Sequence, residues 1–546
     1  MGIPSYFAHL CRNYRNILKD LKTVSKVNNL FMDCNSIIYD AVKSNNDYNP
    51  KNNDEYEKNI IKYVCERIEF FVSLINPSDN VFIAFDGVAP VAKLNQQRDR
   101  RYKSWYQNDL QKQIEGKDYK PTWNTCAITP GTKFMTNLNE QVKNHFIVKN
   151  QPNNIQYIIS ASNIPGEGEH KIFEYIRNNA EIQKDKVNFV YGLDADLIML
   201  TLNHLYICNK LYLFRETPEF IKSIDSSLDP NKTYLLDIPQ LASSIIKYLN
   251  NLHETVEVNL NENRNSITDY ILLCFFLGND FLPHFPALNI RTTGINTLLD
   301  AYRAIIGKKN CYLTNGTKIN WYHVRELIGA ISPREEELIQ AEHKKRDKFN
   351  RNVNMKHSQG APIGSEPDSP DIQNMDDLLM LPMKERSIEK FINPFKSLWQ
   401  YRYYKSLFDL SINDERRKQI SINYLEGLEW TLHYYNEGCI DWRWYYHYHY
   451  PPLLQDVNHF IPYFNDIQFL KKKEKMPIKD VIQLCYVLPS PNHNLLPHDV
   501  VQNLMRNISH LYGTDYEFKW AYCRYFWESH ADLPHITVDI LEKIIH

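Results

Sequence analysis

Between Leu30 and about Tyr302, short apolar runs alternate with longer stretches of mixed polarity. The apolar runs are Leu30–Met32, Val81–Phe85, Ile155–Ser160, Phe189–Tyr191 and Leu211–Phe214. Each has the length and β-compatible composition of a strand, and the stretches between them carry helical periodicity. Strands alternating with helices predict an α/β fold: a twisted, mainly parallel sheet flanked by helices. Charged and Pro/Gly-rich sequence then takes over between Pro333 and Met383, from Glu335-Glu336-Glu337 through His343-Lys344-Lys345-Arg346 to Gly360–Pro370. Aromatic and helical patterns return at Trp399–Leu407 and Tyr424–Tyr450. The pattern predicts four segments: an α/β lobe over 1–305, a helical connection over 306–334, a flexible linker over 335–383 and a mostly helical, aromatic-rich second region over 384–546 packed on the first.

Composition narrows the classes. In 546 residues, Lys and Arg total 63 and Asp and Glu total 65, a formal net charge of −2. No chain-wide basic field exists, so any nucleic-acid site must be a local patch. Hydrophobic residues at 43% and charged residues at 23% exclude a fibrous or wholly disordered chain. The longest apolar stretch, Tyr270–Leu277, falls far short of the ~20 residues that cross a bilayer, which argues against a membrane protein. The ten cysteines form no C-x-x-C pair, and the first residues resemble neither a signal peptide nor a myristoylation site. These features point to a reducing compartment, the cytoplasm, with the nucleus left open.

The chemistry lies in the acids. Asp33 ends the first apolar run, Asp86 follows the second, and Asp194 and Asp196 follow Phe189–Leu193. Helix capping explains any one of them. Repetition at several strand ends, where α/β sheets form their ligand crevice, calls for more. Glu167 and Glu169, in Pro165-Gly166-Glu167-Gly168-Glu169-His170-Lys171, follow a turn and open a helix whose dipole favours their ionised form. Asp280, in Gly278-Asn279-Asp280-Phe281-Leu282-Pro283, follows an apolar helix. Seven converging carboxylates would repel one another unless cations neutralised them. An oxygen-only set with no adjacent His or Cys ligand favours Mg²⁺ or Mn²⁺ over Zn²⁺, and two such ions about 3.5–4 Å apart would serve phosphodiester hydrolysis.

After Pro90 the helical pattern puts Lys93, Gln97, Arg100 and Arg101 at i, i+4, i+7 and i+8, on one face. A solvated basic face is one reading, and a pocket of forked donors gripping a phosphate is the other. The pair His447 and His449 supplies too few ligands for a metal. Trp442–Tyr450 reads instead as an aromatic wall supporting the site, and the basic runs Lys344–Arg346 and Lys471–Lys475 read as solvated linkers.

Taken in order, these residues resemble the XRN family of 5′→3′ exoribonucleases, within the wider group of flap-endonuclease-like, PIN-like metal-dependent nucleases. The resemblance rests on Phe85–Pro90 with Lys93–Arg98, Ile128–Thr132, Pro165–Lys171, Asp194–Leu197 and Gly278–Pro283, and continues in Tyr424–Trp430 and Trp444–Tyr450, fading beyond about residue 480. It implies that Asp33, Asp86, Glu167, Glu169, Asp194, Asp196 and Asp280 form a Mg²⁺- or Mn²⁺-binding catalytic site. It further implies that Lys93, Gln97, Arg100 and Arg101 bind a 5′-monophosphate, and that Trp430 stacks on the terminal base. Where the family usually reads Asp-Met-Asn-Gly-Ile-Ile-His, this chain has Asp33-Cys34-Asn35-Ser36-Ile37-Ile38-Tyr39, so Tyr39 replaces a stacking His. His447 stands where the family favours Pro. The implied activity is processive 5′→3′ hydrolysis of 5′-monophosphorylated single-stranded RNA to nucleoside 5′-monophosphates by a monomer. The competing readings are a flap or structure-specific DNA endonuclease and a catalytically silent RNA-binding scaffold.

Overall fold

Strands covered by helices on both faces are apolar at every position rather than at alternate ones, and the central strands here follow that rule. In the computed structural model, which describes residues 5–14, 16–45, 48–148, 155–216, 221–222, 226, 228–229, 232–309, 311–357, 372–409, 413–464, 467–471 and 474–545, seven strands form one sheet. They are β1 (Leu18–Asp20), β2 (Asn29–Asp33), β3 (Asn80–Ala84), β4 (Gln156–Ser160), β5 (Asn188–Tyr191), β6 (Leu211–Glu216) and β7 (Thr233–Leu236). Their order is β1-β7-β6-β5-β2-β3-β4. The five strands from β6 to β4 are parallel, while β7 and β1 close one edge antiparallel. The expected α/β class is therefore observed, and each of the five apolar runs coincides with one of the parallel strands. The short β1 and β7 carried no clear pattern.

The chain leaves β2 toward β3 and β4, then returns to the other side of β2 to lay down β5 and β6. That reversal opens a crevice beyond the carboxyl ends of β2 and β5. One face of the sheet packs on the helices Asn35–Ser44, Asn53–Ile75 and Lys133–Lys143. The other shares a single apolar core with the second region, in which Phe31, Phe173 and Leu197 join a cluster that also holds Phe281, Tyr424, Trp430 and Tyr435. A further cluster ties Val88 and Leu94 to Ile482, Leu484 and Cys485.

The expected linker is largely something else. Glu335–His357 is a helix, with Glu335, Ile339, His343 and Arg346 buried. Arg346 donates to both oxygens of the buried Glu389, at 3.0 and 2.7 Å, and to the carbonyl of Cys523 at 2.8 Å. Glu335 accepts from the backbone N–H groups of Leu454 and Gln455. Within the charged runs that suggested solvent, Glu335 and Arg346 are thus satisfied by partners distant in sequence, while Glu336, Glu337, Lys344 and Lys345 stay exposed. Helices also cover Met375–Leu379 and Leu381–Lys384, whereas Gly360–Pro370 lies outside the described residues.

Candidate active site

All five residues of β2 are buried, and Asp33 is the last of them. Asn35, opening the next helix, clamps Asp86: its side-chain N–H donates to Asp86 Oδ2 at 2.5 Å, and its Oδ1 accepts from Asp86 N at 3.0 Å. The loop after β4 crosses the loop after β3, Gly87 N donating to Gly166 O at 2.8 Å and Gly166 N to Val88 O at 2.7 Å. Gly166 has φ +106°, a region glycine occupies without strain. Gly168 N donates to Asp86 Oδ1 at 2.7 Å, and a Cβ on Gly168 would stand 2.5 Å from Asp33 Oδ1, so only glycine lets these two carboxylates approach. Lys171 seals the crossing from below, donating to Phe85 O at 2.8 Å and Ala161 O at 2.9 Å.

Two helices start at the cluster. Glu167 is the N-cap of Gly168–Asn178 and Glu169 lies in its first turn, while Asp194 caps Ala195–Asn203 with Asp196 in the first turn. Their positive dipole ends face the acids. The second region supplies the roof. Tyr434, on the helix Asp414–Asn436, donates to Glu167 Oε2 at 2.9 Å and stacks on His170 at 3.6 Å between ring centroids. Lys93 bridges Glu167 Oε1 (2.6 Å) and Asp280, whose other oxygen accepts from Gln96 Nε2 at 2.6 Å.

The electrostatics follow from burial. Asp33 is held well above the usual carboxylate range by burial, then by the charges of Asp86 and Asp194. Burial and then Glu167 and Asp33 do the same to Glu169. Burial raises Asp86 and Glu167 as well. Asp196 is pushed up to about 7 by burial and then by Asp280. Asp280 goes the other way: against its burial, nearby positive groups, Lys93 first, lower it. Among the described residues the site thus holds seven carboxylates against the ammonium groups of Lys93 and Lys171.

These residues fit divalent cations. Donor atoms of Asp33, Asp86 and Glu169 lie within 4.8 Å of one another, as do those of Glu167, Glu169 and His170. Asp33 Oδ1 and Asp196 Oδ1 are sealed from solvent with no hydrogen-bond partner among the described residues. Oxygen donors in this number suit a hard cation. One expectation needs correcting: the carboxylates are not free of an adjacent His, since the ring of His170 is beside Glu167 and Glu169 and its Nδ1 is unpartnered among the described residues. Burial keeps that ring neutral.

The basic helix is observed as Val91–Glu115, but its four residues divide. Lys93 is buried inside the acidic cluster. Arg100 is exposed on the wall of a cleft of about 1030 Å³ that also contains Asp194 and Asp280. Arg101 is tied to Ile128 O and Thr129 Oγ1, and Gln97 accepts from Gln483 at 3.4 Å. Trp430 needs a second correction. It is fully buried, donates to Asp441 O at 2.7 Å and stacks on Trp444 at 5.3 Å, so it presents no face to a base. A motif identifies the residue type and not its burial. Trp442, whose carbonyl accepts from Val91 N at the start of the basic helix, is partly exposed. Tyr39 is half-buried on the helix Asn35–Ser44. Sequence reading also passed over Asn35, Gln96, Lys171 and Tyr434; for Lys171 the signal was present in the Glu-Gly-Glu-His-Lys motif, and for Tyr434 there was none.

A buried carboxylate cluster at the switch point of a parallel sheet, with a basic helix beside it, defines the class as an α/β protein with a nuclease-type acidic centre. Residues 1–217 match the family described as XRN 5′-3′ exonuclease N-terminus, and residues 261–376 and 384–545 match the Xrn1 helical domain. The chain belongs to the XRN family of 5′→3′ exoribonucleases. It is similar to the 5′-3′ exoribonuclease 2 homolog of Drosophila melanogaster, with 26% identity over 100% of this chain and 71% of the relative. The 5′-3′ exoribonuclease 2 of Gallus gallus is 27% identical over 98% of this chain and 69% of its own length. The 5′-3′ exoribonuclease 1 of Saccharomyces cerevisiae is 26% identical over 91% of this chain but only 40% of the relative. Among solved structures, the catalytic core of Rad2 in complex with DNA substrate aligns at 15% identity over 67% of this chain and 84% of that one, with a TM-score of 0.30, too low to bear on the fold. Among the described residues, no helix is long and apolar enough to cross a membrane.

Proposed function

We propose that this chain is an active, divalent-metal-dependent 5′→3′ exoribonuclease that shortens 5′-monophosphorylated single-stranded RNA one nucleoside 5′-monophosphate at a time. The observation that carries the reading is the meeting of all seven carboxylates with Lys93 at the carboxyl edge of the sheet.

Asp33, Asp86 and Glu169, with Asp194, Asp196, Glu167 and Asp280 around them, would hold Mg²⁺ or Mn²⁺. Bound there, such ions supply Lewis-acid stabilisation of the phosphoryl charge and a nucleophilic water at neutral pH. The chain's own groups position the substrate. Arg100, exposed on the cleft wall, would offer its guanidinium fork to the terminal phosphate, with the remaining N–H groups of Arg101 and the amide N–H of Gln97 beside it, and their reach would set the selection for a monophosphate. Lys93 spends donors on Glu167 and Asp280, so its part is to hold these two acids together rather than to grip the terminal phosphate. Trp442 and Tyr39, both partly exposed, would stack on the leading bases, a contact that tolerates any sequence. Tyr434 fixes the rotamer of Glu167 through its hydroxyl. The buried partners of these groups exclude bulk water and strengthen every charge interaction within.

The test is a time course with purified protein, Mg²⁺ and 3′-labelled RNA carrying a 5′-monophosphate, 5′-hydroxyl or 5′-triphosphate, with and without EDTA. Loss of the monophosphate RNA alone, blocked by EDTA, is the expected result. Internal fragments regardless of the 5′ end would point to an endonuclease, and binding without cleavage to a scaffold.

A further inference from the structure

Arg215 takes no part in the site as described, yet it has the character of a binding residue. It is the fifth residue of β6, pairing through the backbone with Tyr234 of β7, and its side chain reaches the cleft that contains Asp194 and Asp280. The guanidinium lies 4.1 Å from the centroid of the buried Phe7 ring, which orients it. Its Nε and one Nη are sealed from solvent and have no hydrogen-bond partner among the described residues. Burial lowers the group to about 10, against the opposing pull of Cys11 and Asp194, so it remains charged at neutral pH. A buried cation with unused donors is costly unless something docks on it. Arg12, exposed at the end of the helix Tyr6–Asn13, lines the same cleft, and its charge, like that of Arg215, opposes the rise that burial gives the Cys11 thiol; Asn13, Thr292 and Asn296 line that cleft too.

Sheet order says what would dock. The basic helix follows β3, most of the acids follow β2, β3, β5 and the loop after β4, and Arg215 lies one residue before the end of β6, so in strand order Arg215 and the basic helix lie on opposite sides of β2 and β5. Neighbouring strands are about 4.8 Å apart, which puts the end of β6 roughly 5–10 Å beyond those of β5 and β2, comparable to one phosphate-to-phosphate step of a nucleic-acid chain. We infer that Arg215 and Arg12 form a second phosphate subsite, which holds the backbone phosphate immediately 3′ of the scissile one. The subsite rests on the nuclease reading above. It makes the enzyme grip its substrate at three successive phosphates: the terminal one on the basic helix, the scissile one at the carboxylates and the next at Arg215.

The test uses the full chain carrying Glu169→Gln to prevent cleavage, with Mg²⁺ and 3′-labelled oligouridylates bearing a 5′-phosphate. The dinucleotide lacks the third phosphate and the trinucleotide has it. The expected result is that Arg215→Gln and Arg12→Ala each erase most of the affinity gained from dinucleotide to trinucleotide, about tenfold for a charge-assisted contact, leaving dinucleotide binding intact. The slope of log affinity against log salt for the trinucleotide should fall by about 0.7 per contact removed, a readout that loosened packing does not move. Unchanged trinucleotide affinity and slope, or equal losses for both oligonucleotides, would overturn the subsite. If Arg215→Gln fails to fold, the exposed Arg12→Ala decides alone. Failure of the nuclease reading shows itself separately, as wild-type protein that neither cleaves nor binds the RNA.

Discussion

The carboxyl edge of the sheet and the helix Asp414–Asn436 meet at the same acids but bring opposite things to them. Strand ends and the helix starts beyond them bring charge: Asp33, Asp86, Glu169 and Asp196 are buried or half-buried, pushed toward protonation by burial and then by neighbouring carboxylates. The helix brings rings and hydroxyls, with Tyr434 on Glu167 and Trp430 packed between Phe281 and Trp444. One region stores repulsion, and the other holds the geometry in which that repulsion is useful. The acidic edge alone is therefore an unstable arrangement, and the helical region alone has no chemistry.

The two contributions separate under mutation. Replacing Asp33 or Asp196 by Asn should lower turnover on 5′-monophosphorylated RNA on the order of 10³-fold, about 4 kcal/mol of transition-state stabilisation, with RNA affinity largely kept. Turnover within a factor of ten of wild type would remove that residue from the chemistry. Gly168→Ala attacks the edge through sterics alone. Its Cβ would strike Asp33 Oδ1, so activity should fall about 100-fold, roughly 2.7 kcal/mol, while circular dichroism stays native. On the helical side, Tyr434→Phe removes one hydrogen bond to Glu167 and should cost about 1 kcal/mol, a five- to tenfold loss in kcat with little change in KM. An effect as large as that of Asp196→Asn would mean that the helix takes part in the chemistry itself. Smallest is the response of the folded state to metal. Millimolar Mg²⁺ should raise Tm by a few degrees by relieving carboxylate repulsion, and in Glu169→Gln the increment should shrink; equal increments would place the binding ions elsewhere.

The same division explains what the sequence reveals. Apolar runs ending in Asp33, Asp86 and Asp194 announce parallel strands and their acidic edge together, because a strand buried on both faces leaves only its end for a charge. Contacts that depend on chain reversal are silent. Nothing local tells that Arg346 meets Glu389 and becomes core rather than linker, or that Lys93 lies among acids instead of on a phosphate-binding surface. Trp430 and Trp442 are equally aromatic on paper, and only packing decides which one keeps an accessible face. The charged helix Glu335–His357 misleads for the reason the acids do not: its partners lie in a segment that folds against it from elsewhere.

The reach of Tyr434 back to Glu167, and of Asp280 to Lys93, has a bearing on biosynthesis. A ribosome that has made the sheet has made most of the acids, but the last groups that organise them are still unsynthesised. Tyr434 is added roughly 150 residues after Asp280, which at about 5–20 residues per second is a delay of roughly 10–30 s. During that interval the sheet and most of its acids exist without the helix that packs over them. If the chain is the nuclease proposed above, its site closes only after the second region has emerged and folded onto the sheet.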